Sequence, residues 1–375
     1  MKMRRVLITG GAGFIGSHLT DALLAEGCHV RILDALVSQV HGPKREPPAY
    51  LAPDGELLVG DVGDAAACRR ALEGIEAVVH FAAAVGVGQS MYEIAPYVAA
   101  NTQATATLLQ VLSERRHEVR KLVVASSMSI YGEGAYRCPR CGPCALPLRE
   151  AAQFEAKQWE LVCPSCGGAV DSVPTPESKP LAPTSIYAIT KRDQEEMCLC
   201  IGRAYGIPTT ALRFFNVYGE RQALSNPYTG VAAIFSACLL NDQAPLIYED
   251  GRQSRDFIHV RDIVQAVVLA LERPEAAYRV FNVGTGHATT VAEVALLLAD
   301  SLGKRITPQI LETFRAGDIR HCVADITQIT TALGFQPRTP FREGMARLVG
   351  WIKGQRPQEG TREADAMLRD RGLVK

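Results

Sequence analysis

Residues 6–16 read Val6-Leu7-Ile8-Thr9-Gly10-Gly11-Ala12-Gly13-Phe14-Ile15-Gly16. A short apolar run ends in glycines spaced GxxGxxG, and an amphipathic pattern begins at Phe14. Each glycine of such a motif has its own task. Gly10 permits a tight turn, Gly13 lets the backbone approach a pyrophosphate, and Gly16 lets the helix pack closely on the strand. The helix opening at Phe14 and Ile15 points its positive end at the anion. A second apolar run, His29 to Leu33, leads into Asp34, 18 residues beyond Gly16. A carboxylate at that distance holds ribose hydroxyls. Because Ala35 and Leu36 follow it instead of a basic residue, a 2′-phosphate is repelled, and the reading is NAD rather than NADP. Asp61 and Val62, at the end of the third run, stand where an adenine is read.

The alternation continues outward from this motif. Val6 to Thr9, His29 to Leu33, Glu56 to Gly60, Ala77 to Phe81 and Lys121 to Ala125 read as buried parallel strands. Phe14 to Glu26, Ala65 to Leu72 and Tyr97 to Arg116 read as helices between them. This is the pattern of an α/β fold with a Rossmann-type doubly wound parallel sheet. A break rich in Cys, Pro and Gly runs from Gly132 to about Thr184. Beyond it lie a long helix, Ser185 to Tyr205, a strand, Thr209 to Arg213, and helices at Arg261 to Leu271, Val291 to Leu302 and Phe341 to Lys353. The expected organisation is a Rossmann domain over 1–132 and 181–220, a Cys-rich insertion over 133–180 and a smaller C-terminal α/β substrate domain over 221–354. The charged tail, 355–375, is expected to be a loosely attached helix.

Composition narrows the function classes. The 375 residues carry 40 Lys+Arg against 40 Asp+Glu, so no basic field exists to hold nucleic acid or an acidic membrane. No apolar stretch reaches the length of a membrane span, and the run at the N-terminus is too short for a signal h-region. The expectation is a cytoplasmic protein, with six scattered cysteines kept as ordinary thiols in a reducing setting.

Chemistry enters where the fifth strand ends in Ser126-Ser127-Met128-Ser129-Ile130-Tyr131-Gly132 and the later helix carries Tyr187-Ala188-Ile189-Thr190-Lys191. Tyr187 and Lys191 are four apart and share a helix face. A phenol is a poor base at neutral pH, and a nearby ammonium together with a positive nicotinamide ring brings it into range. Ser127 supplies the hydrogen bond that orients a substrate hydroxyl. A YxxxK pair alone is an ordinary solvated helix face. The strand-end serines and the glycine loop in the same chain favour catalysis.

Further segments complete a pattern: His80-Phe81-Ala82-Ala83, Asn101, Arg213-Phe214-Phe215-Asn216-Val217-Tyr218-Gly219, GRQSRDFIHVRD over 251–262, FNVGTG over 281–286 and Arg315-Ala316-Gly317-Asp318. Over about residues 4 to 353, the insertion apart, the chain resembles the extended short-chain dehydrogenase/reductases that act on nucleotide sugars. The resemblance implies that Phe81, Ala82, Ala83, Asn101 and Lys191 contact the cofactor. It implies that Ser90, Met91, Ser129, Asn216, Arg255, Arg315 and Asp318 contact the substrate, with Asn216, Arg255 and Arg315 on its diphosphate. Arg suits bidentate phosphate recognition in any case.

In that family a 4,6-dehydratase carries an Asp-Glu pair beside the catalytic Ser, and decarboxylases carry a Glu there. Met128 and Ser129 occupy those places here, which implies oxidation and reduction at a single carbon and hence a 4-epimerase. DALVSQVHG (34–42), VGVGQSMY (85–92), ALSNPYTG (223–230) and GDIRHC (317–322) are similar to one branch, the dTDP-L-rhamnose 4-epimerases, which form dTDP-6-deoxy-L-talose. A 6-deoxy sugar needs an apolar wall for its methyl group, for which Met91 and Met128 are candidates. The alternatives are a UDP-glucose or UDP-glucuronate 4-epimerase, a 4-ketoreductase and a non-catalytic NAD sensor. The family likeness also implies a homodimer.

The break holds two CPxCG knuckles, Cys138-Pro-Arg-Cys141-Gly and Cys163-Pro-Ser-Cys166-Gly, with 21 residues between Cys141 and Cys163. Four thiolates at CxxC…CxxC spacing can surround a tetrahedral zinc ion. The competing reading is a pair of disulfides. Cys144 reads as a bystander. The 56-residue separation of Tyr131 and Tyr187 is far more than one loop needs, so the insertion is expected to project beside the pocket, ordered by its metal.

Overall fold

The computed structural model describes residues 4–114, 117–144, 146–357 and 360–375. Seven parallel strands form its main sheet: β1 (Arg5–Thr9), β2 (His29–Asp34), β3 (Glu56–Val59), β4 (Ala77–His80), β5 (Lys121–Ser127), β6 (Thr209–Phe214) and β7 (Arg279–Val283). Their order across the sheet is β7-β6-β5-β4-β1-β2-β3. The strand order reverses between β1 and β4, and a crevice opens at the carboxyl ends there. Both faces are covered, which is why the strands read as continuous Val, Ile and Leu runs. On one face Leu19, Leu23, Ile263, Val267 and Phe335 pack against Val6, Ile8 and Ile32; on the other, Leu108, Leu112, Cys198 and Leu199 pack against Leu7, Val78 and Leu122. Fully burying one such side chain contributes about 1.5–3 kcal/mol.

A third core, with Phe235, Leu239, Leu298, Met345 and Leu348, lies on the substrate side. The doubly wound architecture expected from the sequence is therefore observed, with strand ends shifted by one or two residues. The span expected as one helix from Tyr97 to Arg116 is broken differently. A short helix, Ile94–Tyr97, runs through a π-turn, Val98–Gln103, into the helix Ala104–Ser113. Arg116 lies outside the described residues. The extra residue per turn places Asn101 inward, where it is fully buried.

The Cys-rich segment is not structureless. It forms a small antiparallel sheet from Ala135–Cys138, Gly142–Cys144 and Asp171–Val173, with a short helix at Ala151–Glu155. The tail also departs from expectation. Its helix, Thr361–Asp370, buries Ala364 and Leu368, and Val374 beyond it pairs with Arg315. Paired apolar positions four apart give this otherwise charged segment one face that docks. Among the described residues, no helix is long and apolar enough to cross a membrane.

Candidate active site

A cleft of about 690 Å³ runs along the carboxyl ends of β1 to β6. At its cofactor end, Gly10 has φ +69°, and a Cβ there would stand 2.8 Å from the Ala82 nitrogen. A Cβ on Gly16 would meet the Gly10 carbonyl oxygen at 2.5 Å. The turn is therefore closed to side chains, and Gly13, Phe14 and Ile15 line the cleft beside it. Asp34 sits in front of this turn with both carboxylate oxygens oriented, accepting from the Ala12 nitrogen at 3.0 Å and the Leu36 nitrogen at 2.9 Å. Asp61, Val62, Phe81, Ala82 and Ala83 line the same end. His41, missed in the sequence, comes within 3.6 Å of Asp34 and leaves its buried Nδ1 without a partner. These groups fit NAD: a cradle that any Cβ would fill, and a fixed carboxylate for the ribose.

At the middle of the cleft, Ser127, Tyr187 and Lys191 come together. Ser127 ends β5 and caps the following turn, accepting from the Ser129 nitrogen at 3.2 Å. The Ser129 hydroxyl donates to Ser127 Oγ at 2.9 Å. Tyr187 and Lys191 ride on the helix Ile186–Tyr205, whose start is fixed by Ser185 accepting from Ala188 N. Burial pushes the Tyr187 phenol up, and a hydrogen bond with Ser127 pulls it partly back. Burial also pushes the Lys191 ammonium down to about 8. Lys191 Nζ donates to Gln194 Oε1 at 2.7 Å. The expectation is that Lys191 acts on the phenol together with a positive nicotinamide ring, and the protein groups alone leave the phenol raised. Desolvation dominates, which leaves the task to the cofactor's positive ring.

Two residues expected to touch ligand are hydrogen-bonded to the elements that build the site. Ser90 Oγ accepts from the Tyr187 backbone nitrogen at 3.0 Å. Asn101 joins the Ala84 loop to the catalytic helix, accepting from Ala84 N at 2.7 Å and donating to Thr190 Oγ1 at 2.9 Å. Met91 does not line the cleft, whereas Met128 does. A buried set braces the same helix: Arg213 pairs with Glu195 at 2.6 Å and donates to the Tyr131 hydroxyl at 2.7 Å.

At the substrate end, Asn216, Arg255, Arg315 and Asp318 line the cleft. Asn216 Oδ1, Gln222 Oε1 and Gln253 Oε1 are buried without partners. Arg315 is paired with Asp318 at 2.9 Å, and Arg255 is anchored by donating to the carbonyls of Ser254, Ile319 and Arg320. Sequence reading missed Gln222, Gln253, Tyr248, Glu249, Ala364, Asp365 and Leu368 in this lining, because no local pattern joins them.

The four knuckle sulfurs of Cys138, Cys141, Cys163 and Cys166 lie within 4.8 Å of one another. Cys138 and Cys166 Sγ are 3.6 Å apart, near the edge of a tetrahedron with metal–sulfur bonds of about 2.3 Å. No disulfide joins any cysteine. Burial opposes ionisation of Cys163, but the backbone N–H groups of Ser165 and Cys166 outweigh it and hold the thiol below its ordinary value. The donor set fits zinc. The insertion is fastened to the substrate side by buried ions: Arg149 donates to both oxygens of Glu249 at 2.8 and 2.9 Å, and Glu133 accepts from the Arg320 nitrogen at 2.8 Å. Its described residues do not line the cleft; Arg149 reaches it through Glu249 and through the carbonyl of Asp318, to which it donates at 3.2 Å.

The fold and this constellation define a dinucleotide-dependent enzyme that transfers a proton and hydride at a hydroxyl-bearing carbon. Residues 6–284 match the NAD dependent epimerase/dehydratase family, and the chain belongs to that family as an NAD-dependent epimerase. It is 34% identical over 352 residues to a dTDP-L-rhamnose 4-epimerase of Burkholderia thailandensis, covering 93% of this chain and 95% of that one. It is similar to the UDP-N-acetylglucosamine 4-epimerase of Methanobrevibacter ruminantium, solved with UDP-N-acetylmuramic acid (TM-score 0.75, 31% identity, 95% of this chain and 100% of that). It is also similar to a mutant UDP-glucuronic acid 4-epimerase of Bacillus cereus solved with a fluorinated substrate analogue and NAD (TM-score 0.75, 26% identity, 93% and 98%).

Proposed function

We propose that the protein inverts carbon 4 of a nucleotide-linked hexose, with dTDP-L-rhamnose and dTDP-6-deoxy-L-talose as its substrate pair. The observation that carries the 4-epimerase reading is the setting of Ser127: Met128 and Ser129 follow it in place of the acid and base that eliminating water needs. Tyr187 takes the proton of the 4-hydroxyl, and Ser127 holds that oxygen in line. Lys191 keeps a positive charge beneath the site. Gly10, Gly13, Gly16 and Asp34 would hold NAD, which would supply the hydride acceptor for the oxidation and the donor for the return. Asn216, Gln222 and Gln253 offer their unpartnered oxygens, and Arg255 and Arg315 their charge, to the nucleotide diphosphate. The 6-deoxy choice rests on the apolar Met128 and on the 34% identity to the Burkholderia enzyme.

The test is a panel assay with no added cofactor. dTDP-L-rhamnose, UDP-glucose and UDP-glucuronate are each incubated with purified protein and the products resolved by NMR. Turnover of the UDP-hexoses alone reassigns the substrate, and stoichiometric consumption of NADH in a parallel assay with a dTDP-4-keto sugar and added NADH makes the protein a reductase. No turnover of any sugar leaves a sensor.

The same reading places one structural zinc ion on Cys138, Cys141, Cys163 and Cys166, in a cytoplasmic setting. Four thiolates leave no coordination position for water. Elemental analysis of protein purified without chelator is expected to give one zinc per chain, and a value near zero overturns it. A homodimer is supported by exposed Ile94, Val98 and Ile189 on and beside the π-turn segment and the catalytic helix. Light scattering at twice the chain mass checks it.

A further inference from the structure

The helix Thr361–Asp370 stands against the substrate end of the cleft, outside the part of the chain that matches the family. Thr361, Ala364, Asp365 and Leu368 face the cavity. A Cβ placed on Gly88 would lie 3.5 Å from Leu368 Cδ1 and 3.6 Å from Arg315 Nη1. Gly88 and Leu368 line the same cleft as Ser127 and Tyr187, so Leu368 stands in the wall of the chamber that holds the reacting groups. The helix is held at its middle and just beyond its C-terminal end. The Tyr248 hydroxyl donates to Asp365 Oδ1 at 2.6 Å, and the Arg371 guanidinium lies 4.5 Å above the Tyr92 ring. Beyond it, Ala316 N donates to Leu373 O at 2.8 Å, and Phe314 and Lys375 exchange two backbone hydrogen bonds at 3.0 Å. The backbone that carries Arg315 is thus bonded directly to the segment that follows the helix.

We propose that Leu368, with Ala364, forms the apolar wall of the sugar subsite, and that this wall both favours a 6-deoxy sugar and retains the 4-keto sugar between its oxidation and its reduction. This rests on the epimerase reading. The reason for a wall is chemical. In the first half-reaction carbon 4 gives up a hydride and the 4-hydroxyl gives its proton to Tyr187, so a C=O bond forms and the sugar loses a hydrogen-bond donor. The ketone must then turn over within the pocket without leaving. A ketone that departs early leaves behind a reduced enzyme with nothing to reoxidise it. An apolar face lets the ring turn without breaking directional bonds, and a closed side stops its escape.

The variant is Leu368→Ala in the full chain, with its thermal melt recorded beside wild type. Calorimetric titration with dTDP-L-rhamnose and with dTDP alone separates sugar from nucleotide. The expected result is about tenfold weaker binding of the dTDP-sugar with dTDP unchanged, the scale of lost apolar contact in a pocket. In parallel, nicotinamide fluorescence rises during turnover as ketone escapes, and hydroxylamine traps free 4-keto sugar. Equal weakening of both ligands, or of neither, overturns the wall. An unchanged yield of trapped ketone overturns its retaining role. If wild type epimerises no nucleotide sugar, the catalytic reading fails, while the difference between dTDP-sugar and dTDP titrations still decides the wall.

Discussion

The two ends of the cleft are built on opposite principles. The cofactor end is tightly packed and holds its one central carboxylate by N–H groups rather than by cations: glycines against backbone, Asp34 satisfied by two N–H groups, and His80 between Thr9 Oγ1 at 2.7 Å and Thr105 Oγ1 at 2.9 Å. The substrate end hangs on charge. Arg320, with no exposed surface, holds Glu249, Asp250 and Glu160, and Arg149 from the insertion holds the same Glu249. A close-packed turn fixes one invariant ligand. A network of buried ions instead joins three separate segments that the chain has to bring together around a variable one.

That contrast breaks most visibly at Arg320. Arg320→Met leaves Glu249 with Arg149 as its one cation among the described residues and strips Asp250 of its partner. Loss of one partner of a buried pair costs about 3–5 kcal/mol, although the exposed Glu160 adds little to it. Calorimetric melting is expected to show a large drop in Tm, with the insertion loosened first, as read by faster reaction of Cys138 and Cys163 with a thiol reagent. NAD titration of whatever remains folded is expected to be near wild type. Equal loss of NAD affinity would mean that the two ends do not behave separately.

Next in size is Tyr187→Phe, which is expected to lower kcat by about 10²-fold or more while leaving bound NAD and Tm nearly unchanged. A variant that keeps more than about a tenth of the rate removes Tyr187 from its role as base. Ser127→Ala is expected to be milder, because Ser127 orients a proton without taking it.

What could be read from the sequence follows the same division. The cofactor end was legible because every contact lies within one short motif: Gly10, Gly13 and Gly16 in seven residues, Asp34 at a strand end, Tyr187 and Lys191 one helical turn apart. The knuckles were legible for the same reason, two identical local patterns. Glu133, Arg149, Glu160, Glu249 and Arg320 have no shared period or spacing, and each alone reads as a surface charge. Ser90 and Asn101 were found as site residues, and they also brace the catalytic helix. The tail was read by its charge, although its decisive residues are Ala364 and Leu368, two apolar positions four apart.

Removing the zinc ion proposed for the knuckles sharpens the comparison on the substrate side. The insertion's described residues do not line the cleft, and Arg149 links it to the wall at Glu249 and Asp318, so a chelator strong enough to strip the knuckle is expected to raise KM for the nucleotide sugar several-fold more than it lowers kcat. Steady-state kinetics before and after zinc is restored checks this. A fall in kcat at constant KM would place the insertion in the chemistry.

The smallest effect belongs to the cofactor side and is a pH dependence. Burial, helped by the Lys191 charge, pushes His80 down from its ordinary 6.5 to about 3. The folded state therefore holds His80 neutral, while the unfolded chain takes up a proton below 6.5. The unfolded state binds more protons across the window from 6.5 toward 3, so this contribution to stability is intact above 6.5 and is lost as pH falls. The slope from this one residue approaches about 1.4 kcal/mol per pH unit. Urea unfolding of the wild type at pH 7.5 and 5.5, set against His80→Asn, isolates it from the carboxylates. The variant is expected to be less stable at pH 7.5, having lost the Thr9 and Thr105 bonds, and to fall less steeply toward pH 5.5. Parallel slopes in the two proteins would show that His80 is protonated in the folded state and is not the neutral group its hydrogen bonds describe.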